Sequence, residues 1–300
     1  MSPAVNNRRI GVFDVGSNSV RLLVAEKRGE QVFSVRKERI TTRLLAGFAE
    51  GSLSPEAIGR TAKAIAQLAE IARQEGAEDL IGFGTSAMRD GENRDELIRL
   101  ADRAGVRLRV LSGEEEADLA YAGAGGTGRF GVLDIGGGST ELLCGADGRV
   151  CACGSAQIGA VRLFEAAGPA ADARTLIGMA RSALLPVWER VRVSPADRWV
   201  GTGGTVTTLA AMRLGLSVYD PERIQNTPVT ASGTRETLDG LLSMDLEARR
   251  RIPGLNPERA DIIPCGAAIL LAFFGLSGAD AVYASDRDNL LGYAGKYFSM

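Results

Sequence analysis

Two stretches of this chain carry residue types suited to handling phosphate. Residues 11–24 read GVFDVGSNSVRLLV and residues 131–144 read GVLDIGGGSTELLC, with seven identities in fourteen positions at an offset of 120 residues. In each, an apolar run ends in an aspartate and is followed by Gly, Ser or Asn, whose small or hydroxyl-bearing side chains leave backbone N–H groups open to an anion. Gly16, Ser17, Asn18 and Ser19 make the first loop, and Gly136, Gly137, Gly138, Ser139 and Thr140 the second. A lone glycine turn usually does no more than turn the chain. Two copies at matching places, the second with three bare backbones beside two hydroxyls and two carboxylates, exceed what a turn needs. Carboxylates next to a phosphate cradle repel the anion unless a divalent cation lies between, and a hard, oxygen-only site suits magnesium. Asp134 and Glu141 are the metal candidates, with Asp14 third.

Proton transfer has to fall to carboxylates, because the chain contains no histidine and so no Ser-His-Asp triad, Cys-His pair or His-ligated metal. The run Ser112-Gly113-Glu114-Glu115-Glu116 has the form of a capping box, Ser112 with Glu115, and acids in a first helical turn favour the dipole. Glu116 is not needed for capping. Two readings stand for it, a solvated structural acid or a base poised by its carboxylate neighbours. Arg89, after an apolar run, reads either as a guanidinium fork for phosphate oxygens or as a surface arginine. Asn93 reads as the N-cap of a helix over Arg94 to Ala104.

The elements that position these residues follow from periodicity. Each repeated stretch is a β-hairpin whose tip is the loop. A weaker echo keeps the 120-residue offset, with Gly84-Thr85 matching Gly204-Thr205. Ser54 and Pro55 open an amphipathic helix to about Arg73, and helices are also expected from Ser112 and over Ala173 to Arg190, where Pro186 bends or ends the helix. Further helices are expected over Gly204 to Leu214, Ser232 to Met244 and Pro264 to Phe274. Strands opening each half and helices alternating with strands later predict an α/β chain with two similar lobes facing across a cleft, linked near Gly123 to Gly128.

Composition bounds the class. With 300 residues, 45% hydrophobic and 24% charged, the chain is globular and long enough for two lobes. No apolar run approaches the ~20 residues that span a bilayer and the start is polar, so a cytoplasmic protein without a membrane partner is expected. A net charge of −2 gives no basic field for nucleic acid. Cys144, Cys151, Cys153 and Cys265 read as free thiols.

Taken together, these residues resemble the exopolyphosphatase and guanosine pentaphosphate phosphohydrolase family, within the actin-like ATPase superfamily. The resemblance rests on Asp14 to Ser19, on Gly84, Thr85, Arg89 and Asn93, on Ser112 to Ala117 and on Asp134 to Glu141. It continues through Gly159, Arg162 and Leu163, then Gly201 with Gly203 to Thr205, and last Pro253, Gly254, Arg259, Ala260, Ile263, Pro264 and Gly266. It implies two ribonuclease H-like (actin-like) lobes with an interdomain cleft. Residues 1–125 would form the N-terminal lobe, with the segment from about 285 to 300 packing back on it, and residues 126–300 the C-terminal lobe. The activity implied is hydrolysis of the terminal phosphoanhydride of inorganic polyphosphate, with pppGpp to ppGpp as a second reaction and hence a tie to the stringent response.

In that reading Glu116 is the catalytic base, and Mg2+ sits near Asp134, Glu141 and Asp14. Gly16, Ser17, Asn18, Ser19, Arg89, Gly136, Gly137, Gly138, Ser139, Thr140, Gly204 and Thr205 bind phosphate, and the chain is a homodimer. Two departures are visible. Longer family members carry a C-terminal histidine-aspartate domain, and none is expected here. At Asn289-Leu290-Leu291-Gly292 the family pattern is Leu-Arg-Glu-Gly, and Arg287 is a hypothetical substitute for the missing arginine. A catalytically weak polyphosphate or nucleotide sensor and an actin-fold phosphotransferase or ATPase are the competing readings.

Overall fold

The computed structural model describes residues 8–124, 128–192, 196–287 and 289–299. The chain opens with the hairpin β1 (Arg9–Val15) and β2 (Ser19–Arg28), then β3 (Gln31–Thr41), α1 (Pro55–Gln74), β4 (Asp79–Gly84), α2 (Ser86–Asp90), α3 (Arg94–Arg103) and β5 (Arg107–Val110). Next come α4 (Gly113–Ala124), β6 (Arg129–Ile135), β7 (Thr140–Ala146), β8 (Arg149–Ala156), α5 (Ala160–Ala167), α6 (Ala173–Val191), β9 (Trp199–Thr202) and α7 (Gly203–Arg213). The chain continues through α8 (Pro221–Ile224), β10 (Pro228–Thr230), α9 (Ala231–Leu242), α10 (Leu246–Arg249), α11 (Ile263–Ser277), β11 (Ala281–Ala284) and α12 (Asn289–Phe298). It divides into two compact units. One comprises the chain up to Ser112 with the segment from Asn289 on, and the other runs from Gly113 to Asp288.

Each unit is built on one mixed sheet, in the order β3-β2-β1-β4-β5 in the first and β10-β11-β9-β6-β7-β8 in the second. The repeat read from the sequence is a repeat of register. Val15 faces Val20 across the first hairpin and Ile135 faces Thr140 across the second, and each sheet carries a register shift at the same step, Val24/Ala25 and Cys144/Gly145. The offset does not hold beyond the hairpins. β4 places Phe83 beside Asp14 and β9 places Thr202 beside Asp134, so the sheet matches Gly84 to Gly203, not to Gly204. One residue fewer separates the second hairpin from its parallel strand.

Helix ends follow the local chemistry. Ser54 caps α1 by accepting the Ala57 amide at 3.2 Å, with Pro55 in the first turn. Asn93 precedes α3 but does not cap it. Its Oδ1 accepts from the Leu53 amide and its Nδ2 donates to the Leu53 carbonyl, both at 2.9 Å, so the amide ties a loop to the helix start. α6 runs through Pro186 instead of ending there. α11 is buried along nearly its whole length and forms the centre of the second unit's core with α6, α7 and α9.

One face of each sheet is covered by a helix, in the second unit the one just before its first strand and in the first unit one from the far end of the chain. α4 lays Ala117, Ala120, Tyr121 and Ala124 on Phe130, Val132 and Leu143, and so belongs with the second unit. The link read at Gly123 to Gly128 lies at its end, with residues 125–127 outside the described residues. α12 packs on β1, β2 and β3. Its Tyr293 lies 4.9 Å from Phe83 between ring centroids, whereas Tyr297 and Phe298 reach Asp79 and Lys27 at the other end of the strands. Its first turn therefore lies at the hairpin-tip end.

Asp79 anchors α12. Its Oδ2 accepts from Arg8 Nη2 at 2.5 Å and from the Tyr297 hydroxyl at 3.0 Å, and its Oδ1 accepts from Arg107 Nη2 at 2.9 Å. The Arg8 hydrogen bond, ahead of the opposing desolvation, holds the Asp79 carboxyl below the usual carboxylate range. A group with a depressed folded pKa contributes stability above the ordinary range and loses it as pH falls through the folded value. Asp79→Asn is expected to lower stability by roughly 1 kcal/mol near neutrality, the size of a half-exposed network. The difference from wild type should shrink as pH is taken below the carboxylate range, and urea unfolding at several pH values checks both.

Candidate active site

Both hairpin tips close with the same bond, Gly16 N–H to the Ser19 carbonyl and Gly136 N–H to the Ser139 carbonyl, each at 3.0 Å. In both, the tip carbonyls are bound from one side. The Ser17 carbonyl accepts from the Leu45 amide and the Asn18 carbonyl from the Thr42 and Arg43 amides. The Gly136 carbonyl accepts from the Ala160 amide, and the Gly137 carbonyl from the Val161 and Arg162 amides. The Gly138 carbonyl takes Arg162 Nε at 2.7 Å. In a trans peptide the N–H points opposite to the C=O. Turning the carbonyls toward α5, or toward residues 42–45, aims the following amides away from them, as an anion cradle requires.

The second tip is held by contact as well as by hydrogen bonds. A Cβ on Gly159 would stand 2.6 Å from the Gly138 nitrogen, so only glycine lets the segment leading into α5 approach this closely. Thr140 spends its hydroxyl proton on the Ile158 carbonyl, fixing the hairpin to the same segment. At the first tip Arg43 has φ +50, a strained conformation for a side chain of this size. That strain cannot be read from sequence.

The polar atoms of the first tip are buried. Ser17 Oγ and both amide atoms of Asn18 have no hydrogen-bond partner among the described residues, an arrangement that a bound ligand explains. Arg89, on α2, is half-buried and fixed by Nη1 to the Leu111 carbonyl at 2.9 Å, so it is not a free surface side chain. Ser19 is buried in β2 beside the tip. Asp14, buried at 4% exposure, faces Arg21 across the hairpin and receives its Nε at 3.0 Å in an ion pair. The sequence reading missed Arg21. Its signal was present, since Arg21 occupies the repeat position of Glu141.

In the second unit four polar residues form one row across four strands. Thr202 faces Asp134, Asp134 faces Glu141, and Glu141 faces Ser155, whose hydroxyl donates to Glu141 Oε1 at 2.7 Å. Residues in register share a face, here the α4 face, which also carries Val132 and Leu143. Asp134 and Glu141 are 6% and 1% exposed. Like charges directly opposite are unfavourable, and a divalent cation relieves the cost. Among the described residues no three acidic or thiol groups gather into a metal cage. Magnesium needs none, since one or two carboxylates with substrate oxygens and water suffice.

α4 begins at this row. A Cβ on Gly113 would lie 2.6 Å from Ser155 Cβ, and Glu116 follows on the first turn, buried at 6% exposure. The start of α7 closes the other side. Gly203 has φ +79, and a side chain there would run into Asp134 Oδ1. The Arg259 guanidinium lies against the bare Cα of Gly204, and a Cβ on Gly266 would stand 2.7 Å from Thr205 Oγ1. The unit therefore brings Glu116, Asp134, Glu141, Gly136 to Thr140, Gly204 and Thr205 into one unit, while Asp14, Gly16 to Ser19 and Arg89 lie in the other.

The family model for the Ppx/GppA phosphatase family matches residues 23–287. The chain belongs to the Ppx/GppA phosphatase family. With that membership it is an enzyme of the phosphoanhydride hydrolase class. It is 35% identical to exopolyphosphatase 2 of Mycobacterium tuberculosis over 312 residues, covering 95% of this chain and 97% of the relative. It is 33% identical to the guanosine-5'-triphosphate,3'-diphosphate pyrophosphatase of Vibrio vulnificus over 94% of this chain and 58% of that longer relative. The crystal structure of an exopolyphosphatase-like protein superposes with TM-score 0.87 at 27% identity, covering 96% of this chain and 98% of the other. The Ppx/GppA family member of Aquifex aeolicus gives TM-score 0.79 at 25% identity, covering 98% of each chain. The two-sheet α/β architecture is thus the actin-like fold of this family.

Arg287, the hypothetical substitute for the family arginine, is exposed in the second unit, whereas Leu290 is a buried apolar residue of α12 in the first. Because the tip of this Ppx/GppA member is held by backbone contact at Gly159, Gly159→Ala is expected to destabilise the second unit by roughly 1–3 kcal/mol, as overpacking does. Its φ of −143 is open to any residue, so the effect is steric alone. A thermal scan checks it, and an unchanged Tm would show that the tip yields freely.

Proposed function

We propose that this chain is an exopolyphosphatase that removes the terminal phosphoryl group of inorganic polyphosphate, with pppGpp as a second substrate, by attack of a Glu116-activated water. The row Thr202, Asp134, Glu141, Ser155, with the Glu116 helix starting on its last member, carries the reading. Glu116 is a buried carboxylate in a chain without histidine. It orients a water in line with the terminal phosphorus and takes its proton at a carboxylate oxygen. The amides of Gly137, Gly138 and Ser139 hold phosphoryl oxygens from the second tip, with Gly204 and Thr205 at the start of α7. In the first unit Ser17, Asn18, Ser19 and Arg89 are the phosphate-binding residues.

Asp134 and Glu141 would hold Mg2+, which when bound neutralises charge that develops on the phosphoryl oxygens. Ser155 orients Glu141 through its hydroxyl, and Asp14 is left to its ion pair with Arg21. Loss of a group that orients a metal ligand typically costs 10–100-fold in metal affinity. Ser155→Ala is therefore expected to weaken Mg2+ binding by about tenfold in calorimetry. Equal affinities would separate Ser155 from the metal.

The deciding experiment incubates the protein with Mg2+ and, separately, short-chain polyphosphate, long-chain polyphosphate, pppGpp or ATP, and follows released orthophosphate beside Glu116→Gln. Release from polyphosphate is expected, with turnover reduced roughly 10²–10⁴-fold in Glu116→Gln and polyphosphate binding retained. Near-normal turnover in that variant removes Glu116 from the base role. Binding by wild type without release would make the chain a sensor, and release tied to a phosphorylated acceptor would make it a phosphotransferase.

A further inference from the structure

Thr202 is a threonine at a helix start whose hydroxyl does not cap the helix. At Ser54, Asp172 and Thr230 the residue before the helix is extended, and its side-chain oxygen accepts an amide of the first turn, as an N-cap does. Thr202 is extended too, with φ −110 and ψ 179, yet it makes no cap bond. Gly203 follows at φ +79, a left-handed step foreign to a regular helix, and it turns the first amides away from the hydroxyl. The oxygen is therefore not spent on the amides of Gly204 or Thr205, the second and third residues of α7.

The hydroxyl is not spent elsewhere either. Thr202 is fully buried, and its Oγ1 has no hydrogen-bond partner among the described residues. Buried polar side chains nearly always have a partner, so this oxygen points to one that the chain does not supply. Its neighbours indicate which kind. Thr202 stands in register beside Asp134, and Asp134 stands opposite Glu141. A hydroxyl next to two buried carboxylates adds a donor oxygen for a cation without adding charge. The first sheet supplies the contrast. There Phe83 stands beside Asp14, whose charge is met by Arg21, and no further oxygen is offered.

We propose that Thr202 Oγ1 is an oxygen ligand of the divalent cation, in one set with Asp134 and Glu141. The proposal rests on the Mg2+ reading of that carboxylate pair. Mg2+ takes one or two carboxylates and fills its remaining positions with neutral oxygens, a serine or threonine hydroxyl among them. Thr202 then joins two tasks of the site. Its oxygen serves the cation, and the amides of Gly204 and Thr205 that it leaves uncapped serve phosphoryl oxygens. All of these residues belong to the second unit.

The test uses Mg2+ and reads binding and stability instead of turnover. Thr202→Val keeps the shape and removes the oxygen, whereas Thr202→Ser keeps the oxygen. In calorimetry Thr202→Val is expected to bind Mg2+ about tenfold or more weakly than wild type, and Thr202→Ser within about threefold of it. Without metal, the Tm of Thr202→Val should equal or exceed that of wild type, because an unpartnered buried hydroxyl does not stabilise the fold. Added Mg2+ should then raise the Tm of wild type more than that of Thr202→Val. Equal Mg2+ affinities for wild type and Thr202→Val overturn the proposal and leave the carboxylate site standing. A lower metal-free Tm in Thr202→Val also overturns it, since the hydroxyl would then be spent within the protein. If wild type binds no Mg2+, with or without tripolyphosphate, the cation site itself fails and the role of Thr202 falls with it.

Discussion

Two residues that face one another across an antiparallel pair have no freedom to point apart, and the chemistry of this molecule depends on that constraint at two places. Asp14 is committed to Arg21 and Asp134 to Glu141 by the same hairpin register. The backbone around them is nearly the same in both copies, closed by a glycine amide on a serine carbonyl at 3.0 Å. What differs is the sign of the partner. An aspartate beside an arginine is a neutral pair that leaves the surrounding donors available to an anion. An aspartate beside a glutamate is a site that calls for a cation.

The second unit holds its acidic row by close approach of backbone. Gly159 against Gly137 and Gly138, Gly203 against Asp134, Gly204 under Arg259, and Gly266 against Thr205 are positions where a methyl group would displace a neighbouring atom. Gly254, with φ +83, makes the same approach to Ala211 on α7. These contacts tie the segment from Pro253 to Gly266 to the start of α7, although it is far from the hairpin loops in sequence. It forms the support of the α7 start. A buried site fixed by packing has few low-energy alternatives, because interiors are as dense as organic crystals.

The hairpins and their loops were legible in the sequence because they are local. Strand, turn and strand lie within fourteen residues, and the copies agree where the backbone demands it. Long-range pairings were not. The match of Gly84 to Gly203 depends on which residue of a parallel strand lies beside Asp14, and nothing local to Gly204 reveals the single-residue slip. The placement of α4 on the sheet that follows it depends on Ala117, Ala120 and Tyr121 meeting Phe130 and Leu143, a choice invisible in the helix itself. Asn93 has the sequence of a cap and the structure of a bridge, because Leu53 offers its amide and carbonyl together at a distance of forty residues. Arg21 was visible as a letter, but its meaning required knowing what lay opposite.

Under the proposed function, the reversed sign of the two rows is what phosphoanhydride chemistry asks of them. On the proposed reading, an acid at both partner positions would put a carboxylate pair beside each tip and lose the field that attracts phosphate. With an arginine at both, each aspartate would be engaged in an ion pair, so the chain would bind the anion well but keep no carboxylate pair for a cation and no reason to favour the more highly charged transition state over the ground state. Division of the two tasks between copies resolves the conflict at the smallest structural cost. One repeat position changes from Arg21 to Glu141, the register stays the same, and Ser155 takes the place that Arg39 holds in the first sheet. In the proposed reading the same fold unit serves once as an anion receptor and once as a cation site, and the helix on the acidic row supplies Glu116.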